Sequence, residues 1–205
     1  MVKRKGLLLV VSGPSGAGKG TICKSILDQN DHIKLSVSAT TRKPRTGEVH
    51  GVNYFFLEKE EFKTMIEQGE FLEYAQIYDN FYGTPKAAIM ETLEKGQDVI
   101  LEIEMQGARQ VKEVYPEGIF IFVLPPSLQE LKNRIVGRGT ETAEEIEKRF
   151  SCAFEEIKQI EDYDYFIVNK DVEKSVKELE AIISSEKNKV TRYKNNIIDK
   201  FKEEL

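Results

Sequence analysis

The sequence has no tryptophan and contains only two cysteines and two histidines among its 205 residues. Neither Cys23 and Cys152 nor His32 and His50 have metal-ligand spacing, so a zinc site is not expected and the histidines should lie at the surface. No segment approaches the roughly twenty apolar residues that a membrane helix needs, and the first apolar run, Leu7–Val11, is too short for a signal peptide. We therefore expect a cytoplasmic protein with buried, reduced thiols.

Basic residues are also in the minority. The 30 Lys and Arg against 35 Asp and Glu give a formal net charge of -5 at pH 7, which argues against nucleic acid or a membrane surface as a partner. Any functional basic residues should therefore be clustered locally. The length suits one domain with insertions, or one domain and a tail, and no heptad seam predicts an oligomeric state.

A glycine-rich segment follows the first apolar run. It has a GxxxxGK pattern between a strand-like and a helix-like segment and consists of Gly13, Pro14, Ser15, Gly16, Ala17, Gly18, Lys19, Gly20 and Thr21. Glycines let successive N–H groups turn towards an anion, the helix N-terminus adds partial positive charge, and Lys19 supplies a cation. The segment predicts a nucleotide-binding phosphate loop rather than a plain glycine-rich turn.

The loop departs from the common motif at one position. Gly20 follows the lysine where a Ser or Thr usually ligates magnesium, and the hydroxyl comes one residue later, at Thr21. Because one residue rotates a helical side chain by about 100°, we expect magnesium to be held mostly by phosphates and water. The Lys-Gly-Thr form resembles the loop of nucleoside monophosphate kinases.

Alternating patterns predict an α/β fold with three layers, in which helices cover both faces of a parallel sheet. The apolar runs that predict strands are Leu7–Ser12, Val99–Ile103, Ile119–Leu124 and Tyr165–Val168. Helical patterns occur near Thr21–Gln29, Gln106–Val114, Ser127–Val136 with Ser127 as a cap, Ala143–Ile160, and from Val172 onward.

Two segments do not fit this alternation, and a tail follows it. Residues 37–86 have a short-strand pattern around one helix at Glu58–Gln68, which suggests an insertion. Residues 127–157 carry Arg134, Arg138 and Arg149 around two glycines, as a lid over phosphate would. The tail, 185–205, has apolar residues at helical spacing, and we expect its helix to dock on the core rather than bind a partner; these residues are Val190, Tyr193, Ile197 and Phe201.

Two groups of charged residues could act on phosphates. Arg42, Lys43 and Arg45 form a basic cluster in an acidic chain, and guanidinium groups match phosphate oxygens, although a solvated turn is the alternative. Glu102 and Glu104 stand at the end of the Val99–Ile103 run, where open α/β sheets bind ligands, although they could also simply pair with lysines.

Several motifs in order resemble guanylate kinase over about residues 5–184. They are the phosphate loop, Ser38–Glu48, the run from Gly47 to Phe56, Tyr82–Thr84, Glu102–Ala108 and Arg138–Glu141. The resemblance implies a P-loop fold with a GMP-binding insertion at about 37–86 and a helical lid at about 127–157. It also implies transfer of the ATP γ-phosphoryl group to GMP, and to dGMP, with Mg²⁺.

The resemblance also implies roles for individual residues. The GMP phosphate would be bound by Arg42, Arg45, Tyr54 and Tyr82, with Glu48 bracing the arginines. The base would be bound by Ser38, Glu73 and Thr84, since a carboxylate can accept both adjacent guanine donors while a hydroxyl donates to the carbonyl.

Transfer itself would depend on four cations, Lys19, Arg42, Arg138 and Arg149, because an anionic acceptor needs no general base. Glu104 would lie near the reacting phosphates, although the family often has aspartate there, and Thr21 and Glu102 would support the metal through water. Asn169 matches the residue that contacts the adenine of ATP in this family. Arg134 would bind ATP as well, although it could instead be a solvated arginine on the surface of a helix.

Two other functions remain possible from the sequence. Guanylate-kinase-like domains of scaffold proteins bind phosphorylated peptides, but they have lost phosphate-loop or lid residues that this chain keeps. A kinase acting on AMP or TMP is the second alternative. Glu73, Ser38 and Thr84 favour guanine, although only through the family resemblance.

Overall fold

A computed structural model describes residues 4–136 and 154–202. These residues contain nine strands: β1 (Leu8–Ser12), β2 (Ile33–Leu35), β3 (Ala39–Thr40), β4 (Phe55–Phe56), β5 (Phe71–Ile77), β6 (Asn80–Pro85), β7 (Asp98–Glu102), β8 (Ile119–Leu124) and β9 (Tyr165–Val168). The main helices are α1 (Lys19–Gln29), α2 (Lys59–Glu67), α3 (Lys86–Glu94), α4 (Met105–Val114), α5 (Leu128–Val136), α6 (Val172–Lys187) and α7 (Val190–Lys202).

The core is a five-stranded sheet with the order β2-β7-β1-β8-β9, and all its strand pairs are parallel. Every residue of β1 is buried, since helices cover both faces of the sheet. Leu9 and Val11 pack with residues of α1 and α6, whereas Leu8 and Val10 pack with residues of α3 and α4. This alternation explains why the central strand reads as a continuous apolar run.

A smaller sheet with the order β4-β3-β6-β5 forms the insertion between β2 and α3. Its core is aromatic: the ring of Phe62, from α2, stacks on Phe71 at 4.4 Å and on Phe81 at 5.5 Å between centroids. This small core gives the insertion its own packing, separate from that of the main sheet.

Most predicted elements are confirmed. The bounds of β8 and β9 agree with the prediction, and the Ser127 hydroxyl accepts the Glu130 N–H at 3.1 Å, as a cap should. Strand β2 was missed because it is short and mostly exposed, and α3 was missed because its residues directly follow the strand pattern of the insertion.

The predicted helix Ala143–Ile160 lies largely outside the described residues. Within them, residues 154–157 are helical, but Lys158–Asp162 forms a 3-10 helix, so the predicted α-helical end at Ile160 is wrong. Within residues 4–136 and 154–202, no helix is both long and apolar enough to cross a membrane.

The tail docks mainly through polar contacts. Glu186 is buried and accepts hydrogen bonds from the Tyr165 hydroxyl at 2.7 Å and from both Arg192 Nε and Nη2, at 2.9 and 2.7 Å. Among the predicted apolar positions, only Tyr193 is buried, and the Arg4 guanidinium lies over its ring. The expectation of an apolar docking face is therefore wrong for the other three, which remain exposed: Val190, Ile197 and Phe201.

Candidate nucleotide site

The phosphate loop connects β1 to α1 at the carboxyl edge of the core sheet, with β7 on one side of β1 and β8 on the other. Open α/β sheets bind their ligands at such an edge. Gly13 has φ 140° and a Cβ there would lie 2.2 Å from the Val123 carbonyl oxygen. Gly18 caps α1 with φ 94°. Both positions require glycine, so the loop's shape follows directly from its sequence.

Lys19 folds back over this loop. Its Nζ donates to the carbonyl oxygens of Gly13 at 2.6 Å and Pro14 at 3.3 Å. The ammonium group is therefore held at the loop, where it can meet an anion that binds to the loop's N–H groups.

Two residues from distant parts of the chain brace the loop from behind. The buried Asn169 donates from Nδ2 to the Ala17 carbonyl oxygen at 2.9 Å. Arg134 donates from Nη1 to the same oxygen at 3.3 Å and from Nη2 to the Asn169 carbonyl at 3.0 Å, while Glu130 accepts from its Nε. The reading of Arg134 as a solvated arginine is therefore wrong, because its guanidinium joins α5 to the loop.

Glu102 and Glu104 lie at the same cavity as the loop. This cavity has a volume of about 370 Å³ and is lined by Ser15, Gly16, Gly18, Lys19, Gly20, Thr21, Glu102 and Glu104. Glu102 ends β7 and Glu104 is the N-cap residue of α4. The two carboxylates are thus placed beside the phosphate loop.

Gly20 leaves room for the Glu102 carboxylate. A Cβ at this position would lie 3.2 and 3.4 Å from the two carboxylate oxygens of Glu102. Burial raises the pKa of Glu102, Lys19 lowers it, and Glu104 raises it further, with a net increase. The departure from the common motif at Gly20 is therefore matched by an acidic side chain against the loop.

Glu156 is a charged neighbour of the loop that the sequence analysis missed. Burial and the nearby Glu104 carboxylate raise its pKa, whereas a hydrogen bond from the Ser15 backbone and the charge of Lys19 oppose the increase. Glu156 lies at the end of the predicted lid, 127–157, in a helical segment without a motif of its own, so no sequence signal pointed to it.

The basic cluster of the insertion is organised around Arg42 and Glu48. The Arg42 guanidinium donates to both carboxylate oxygens of Glu48, at 2.8 and 3.0 Å, and the Arg45 N–H donates to Oε2 at 2.7 Å. Arg42 pairing is the main reason why the pKa of Glu48 is lowered. The Arg45 side chain is exposed. The solvated-turn alternative therefore does not describe Arg42.

Aromatic rings surround this guanidinium. Its carbon lies 5.5 Å from the ring centroid of Tyr54 and 5.9 Å from that of Phe56, and the Tyr54 and Tyr82 rings are 6.2 Å apart. His50, expected as a plain surface residue, accepts the Phe56 N–H on Nδ1 at 3.2 Å. It thus helps to hold β4 beside Arg42.

Thr40 and Thr41 fix the backbone that leads into the cluster. The Thr40 hydroxyl donates to the Phe81 carbonyl at 2.9 Å and accepts the Arg42 N–H at 3.1 Å, while Thr41 accepts the Phe81 N–H at 2.9 Å. Arg42 is therefore anchored at its main chain as well as through Glu48.

Glu73 and Thr84 face each other across β5 and β6. The Thr84 hydroxyl is buried and donates to Oε1 of Glu73 at 2.6 Å. Burial raises the pKa of Glu73 even though hydrogen bonds from Thr84 oppose the increase. Ser38 directly precedes β3, and its carbonyl accepts the Phe55 N–H at 2.9 Å.

Two predicted catalytic residues, Arg138 and Arg149, lie outside the described residues, as does Cys152. Cys23 is buried in α1, as expected, and burial together with Glu102 raises its pKa to about 12. Its thiol is therefore protonated at neutral pH.

Comparison with known proteins identifies the family. The sequence model described as guanylate kinase matches residues 5–186. The chain belongs to the guanylate kinase family. Its activity is that of an ATP:GMP phosphotransferase. The guanylate kinase of Clostridioides difficile (strain 630) is 82% identical over 205 residues, which cover 100% of both chains.

More distant guanylate kinases agree over most of their length. That of Caldanaerobacter subterraneus subsp. tengcongensis is 57% identical over 194 residues, covering 95% of this chain and 94% of the relative. The crystal structure of guanylate kinase from Anaplasma phagocytophilum has a TM-score of 0.71 and 35% identity, and the match covers 94% of this chain and 92% of that one. The predicted family and α/β fold class are confirmed.

Proposed function

We propose that this guanylate kinase binds ATP on the phosphate loop and GMP on the insertion, and that it accepts dGMP as well. The observation that carries this proposal is the hydrogen-bonded pair of the half-buried Glu73 and the buried Thr84. Thr84 occupies Oε1 of Glu73 at 2.6 Å, which leaves Oε2 for the adjacent N1–H and amino donors of guanine. Adenine has neither that pair of donors nor a carbonyl acceptor for a neighbouring hydroxyl.

Phosphate binding by Arg42, Arg45, Tyr54 and Tyr82 completes the proposed acceptor site. Glu48 already holds Arg42 through two short hydrogen bonds, so the guanidinium needs little reorganisation to bind a phosphate. The exposed Arg45 and the two tyrosine hydroxyls supply further donors. Ser38 and Thr84 would contact the base with Glu73.

On the donor side, residues 13–21 would hold the ATP phosphates. Asn169 and Arg134 both bond the Ala17 carbonyl, which supports a loop fixed before ATP arrives. Their predicted contacts with the nucleotide itself remain proposals. Glu104 would lie beside the reacting phosphates, since it lines the loop's cavity.

Transfer would consist of alignment and charge neutralisation. The GMP phosphate is already anionic, so it attacks the γ-phosphorus without a general base and ADP leaves. Lys19 and Arg42 are cations on the donor and acceptor sides. Arg138 and Arg149 of the proposed lid would add charge on closure, which would also exclude water.

The residues at the loop fit a magnesium ion that is bound mainly by ATP. Among the described residues there is no group of three or more His, Cys, Asp or Glu side chains that could form a protein cage for a metal. Glu102, Glu104 and Thr21 line the loop's cavity and could hold it through water, which suits an ion that keeps several waters. Magnesium would supply neutralisation of the phosphate charge.

The decisive assay measures ADP formation by the purified protein with ATP and magnesium, using GMP, dGMP, AMP, CMP, UMP and TMP as acceptors. We expect turnover with GMP and dGMP alone. Equal turnover with AMP or TMP would contradict the proposed base site. No turnover with any acceptor, in protein shown to be folded, would favour a phosphopeptide-binding module instead.

A further inference from the structure

Helix α4 contains a glycine that its backbone geometry does not require. Gly107 is buried in the first turn of α4, and its φ is not among the positive values found in the described residues. Alanine would favour a helix here, because glycine loses more conformational freedom on folding. The reason for glycine should therefore lie in what faces it.

The side chain facing Gly107 is Glu73. A Cβ at Gly107 would lie 3.0 Å from Oε2 of Glu73 and 3.4 Å from its carboxyl carbon. Thr84 holds the other oxygen at 2.6 Å. The carboxylate therefore lies between Thr84 of the insertion and α4 of the core, and a methyl group on α4 would push Oε2 away.

Gln110, one turn further along α4, holds the strand that carries Glu73. Its Oε1 accepts the Tyr74 N–H at 3.0 Å, and its Nε2 donates to the Tyr74 carbonyl at 3.1 Å. β5 is an edge strand of the smaller sheet, so these two backbone groups have no neighbouring strand on that side. The Gln110 amide pairs with both of them.

We propose that Gly107 and Gln110 are specificity-determining positioning residues, through which α4 of the core sets where Glu73 presents Oε2 to the acceptor base. This inference rests on the proposed role of Glu73 in binding guanine. GMP and inosine monophosphate (IMP) differ by the exocyclic amino group. Because that group would bond to Glu73, the two α4 residues act on the preference for GMP over IMP.

The first variant is Gly107→Ala. Since the atom in the way is the far end of a side chain, we expect the protein to fold, with a melting temperature no lower than that of the wild type. We expect kcat/KM for GMP to fall about tenfold and that for IMP to fall less, with the KM for ATP unchanged. Gln106→Ala changes the exposed neighbour in the same turn and should leave all three values unchanged.

The second variant, Gln110→Ala, removes both bonds to Tyr74. We expect the KM for GMP to rise about three- to tenfold and that for IMP to rise less, with kcat at saturating GMP and the KM for ATP unchanged. A general loss of structure would instead lower kcat and raise both KM values. If Gly107→Ala fails to fold, the raised KM for GMP with an unchanged KM for ATP in Gln110→Ala tests the inference by itself.

Glu73→Gln separates the inference from the function on which it rests. If α4 acts through Glu73, adding Gly107→Ala to Glu73→Gln should cost little further activity. A Glu73→Gln enzyme with wild-type GMP kinetics would overturn the proposed role of Glu73 and, with it, this inference. A Glu73→Gln defect combined with wild-type preference in both α4 variants would overturn only the inference.

Discussion

Replacing Glu73 with Gln tests the proposed base site with the smallest change in shape. In the proposed site the carboxylate would offer Oε2 to two guanine donors, while Oε1 accepts from Thr84 at 2.6 Å. A glutamine has one oxygen and one NH2 group. If the NH2 turns towards guanine it meets two donors, and if it turns towards Thr84 the remaining oxygen carries no charge.

The expected loss follows from the bonds affected. A hydrogen bond to a charged group contributes about 1.5 to 3 kcal/mol, so losing the charge at one such contact should lower kcat/KM for GMP by about 10- to 150-fold. IMP has one donor fewer at this edge and should lose less. The KM for ATP should not change.

Stability should respond in the opposite direction. Because burial raises the pKa of Glu73, its ionised form is favoured more in the unfolded chain than in the folded one. The free energy of unfolding therefore includes an unfavourable contribution from Glu73 at neutral pH, which disappears as the pH falls and the group is protonated. Glu73→Gln removes it, so thermal unfolding at pH 7 should occur at the same temperature or higher.

Steady-state kinetics with GMP and IMP, together with calorimetric melting, measure both effects. Glu73→Asp serves as the matched control because it keeps the charge but shortens the side chain. Unchanged GMP kinetics in folded Glu73→Gln would refute the reasoning. A large loss of melting temperature would also refute it, since the defect would then be structural.

Three further predictions concern the phosphate loop, the clamp formed by Glu48 on Arg42, and the tail. Arg134→Ala removes the bond to the Ala17 carbonyl of the phosphate loop and the bond to the Asn169 carbonyl, so the KM for ATP should rise about five- to tenfold without a change in the KM for GMP, as initial rates at varied ATP would measure. Glu48→Gln weakens the bracing of Arg42 and should raise the KM for GMP about two- to fivefold, whereas an unchanged value would remove Glu48 from the clamp. For Glu186, burial raises the pKa, but hydrogen bonds from Tyr165, Arg192 and Lys189 outweigh burial, so the pKa in the folded protein is lowered. The ionised Glu186 therefore stabilises the fold at any pH above its pKa in the unfolded chain, and this stabilisation is lost as the pH falls through its pKa in the folded protein. Glu186→Gln should therefore unfold about 2 to 3 kcal/mol more easily at pH 7 in urea titrations, with a smaller difference at acid pH.

The core fold could be predicted because its sequence signals are local. β1 is apolar at every position and leads directly into the glycines of the phosphate loop, and Ser127 caps α5 as its position predicts. α3 could not be placed so readily, since only Ile89 and Leu93 are buried in it. Its helix depends on packing against the core sheet.

The candidate site could be predicted where a motif carried it. Arg42, Glu48, Glu73 and Thr84 were found through the family resemblance, and their pairing agrees with the roles proposed for them. Gln110, in contrast, makes its bonds to a residue 36 positions away. Such contacts depend on how α4 packs against β5, which no local pattern encodes.

For the same reason, the helix of the tail was predicted but the way it docks was not. Helical spacing correctly predicted α7, but burial of an apolar face needs a surface to pack on, and the tail is instead held mainly by its own charged residues Glu186 and Arg192, with Tyr165 of β9 donating to Glu186. Spacing alone does not identify that surface.

A crystal structure of the protein with bound GMP is the most direct test of the central claim. The account predicts the guanine N1–H and amino group within hydrogen-bond distance of the Glu73 carboxylate, and the phosphate on Arg42 between the Tyr54 and Tyr82 rings. Guanine bound away from Glu73, or a phosphate without contact to Arg42, would contradict it.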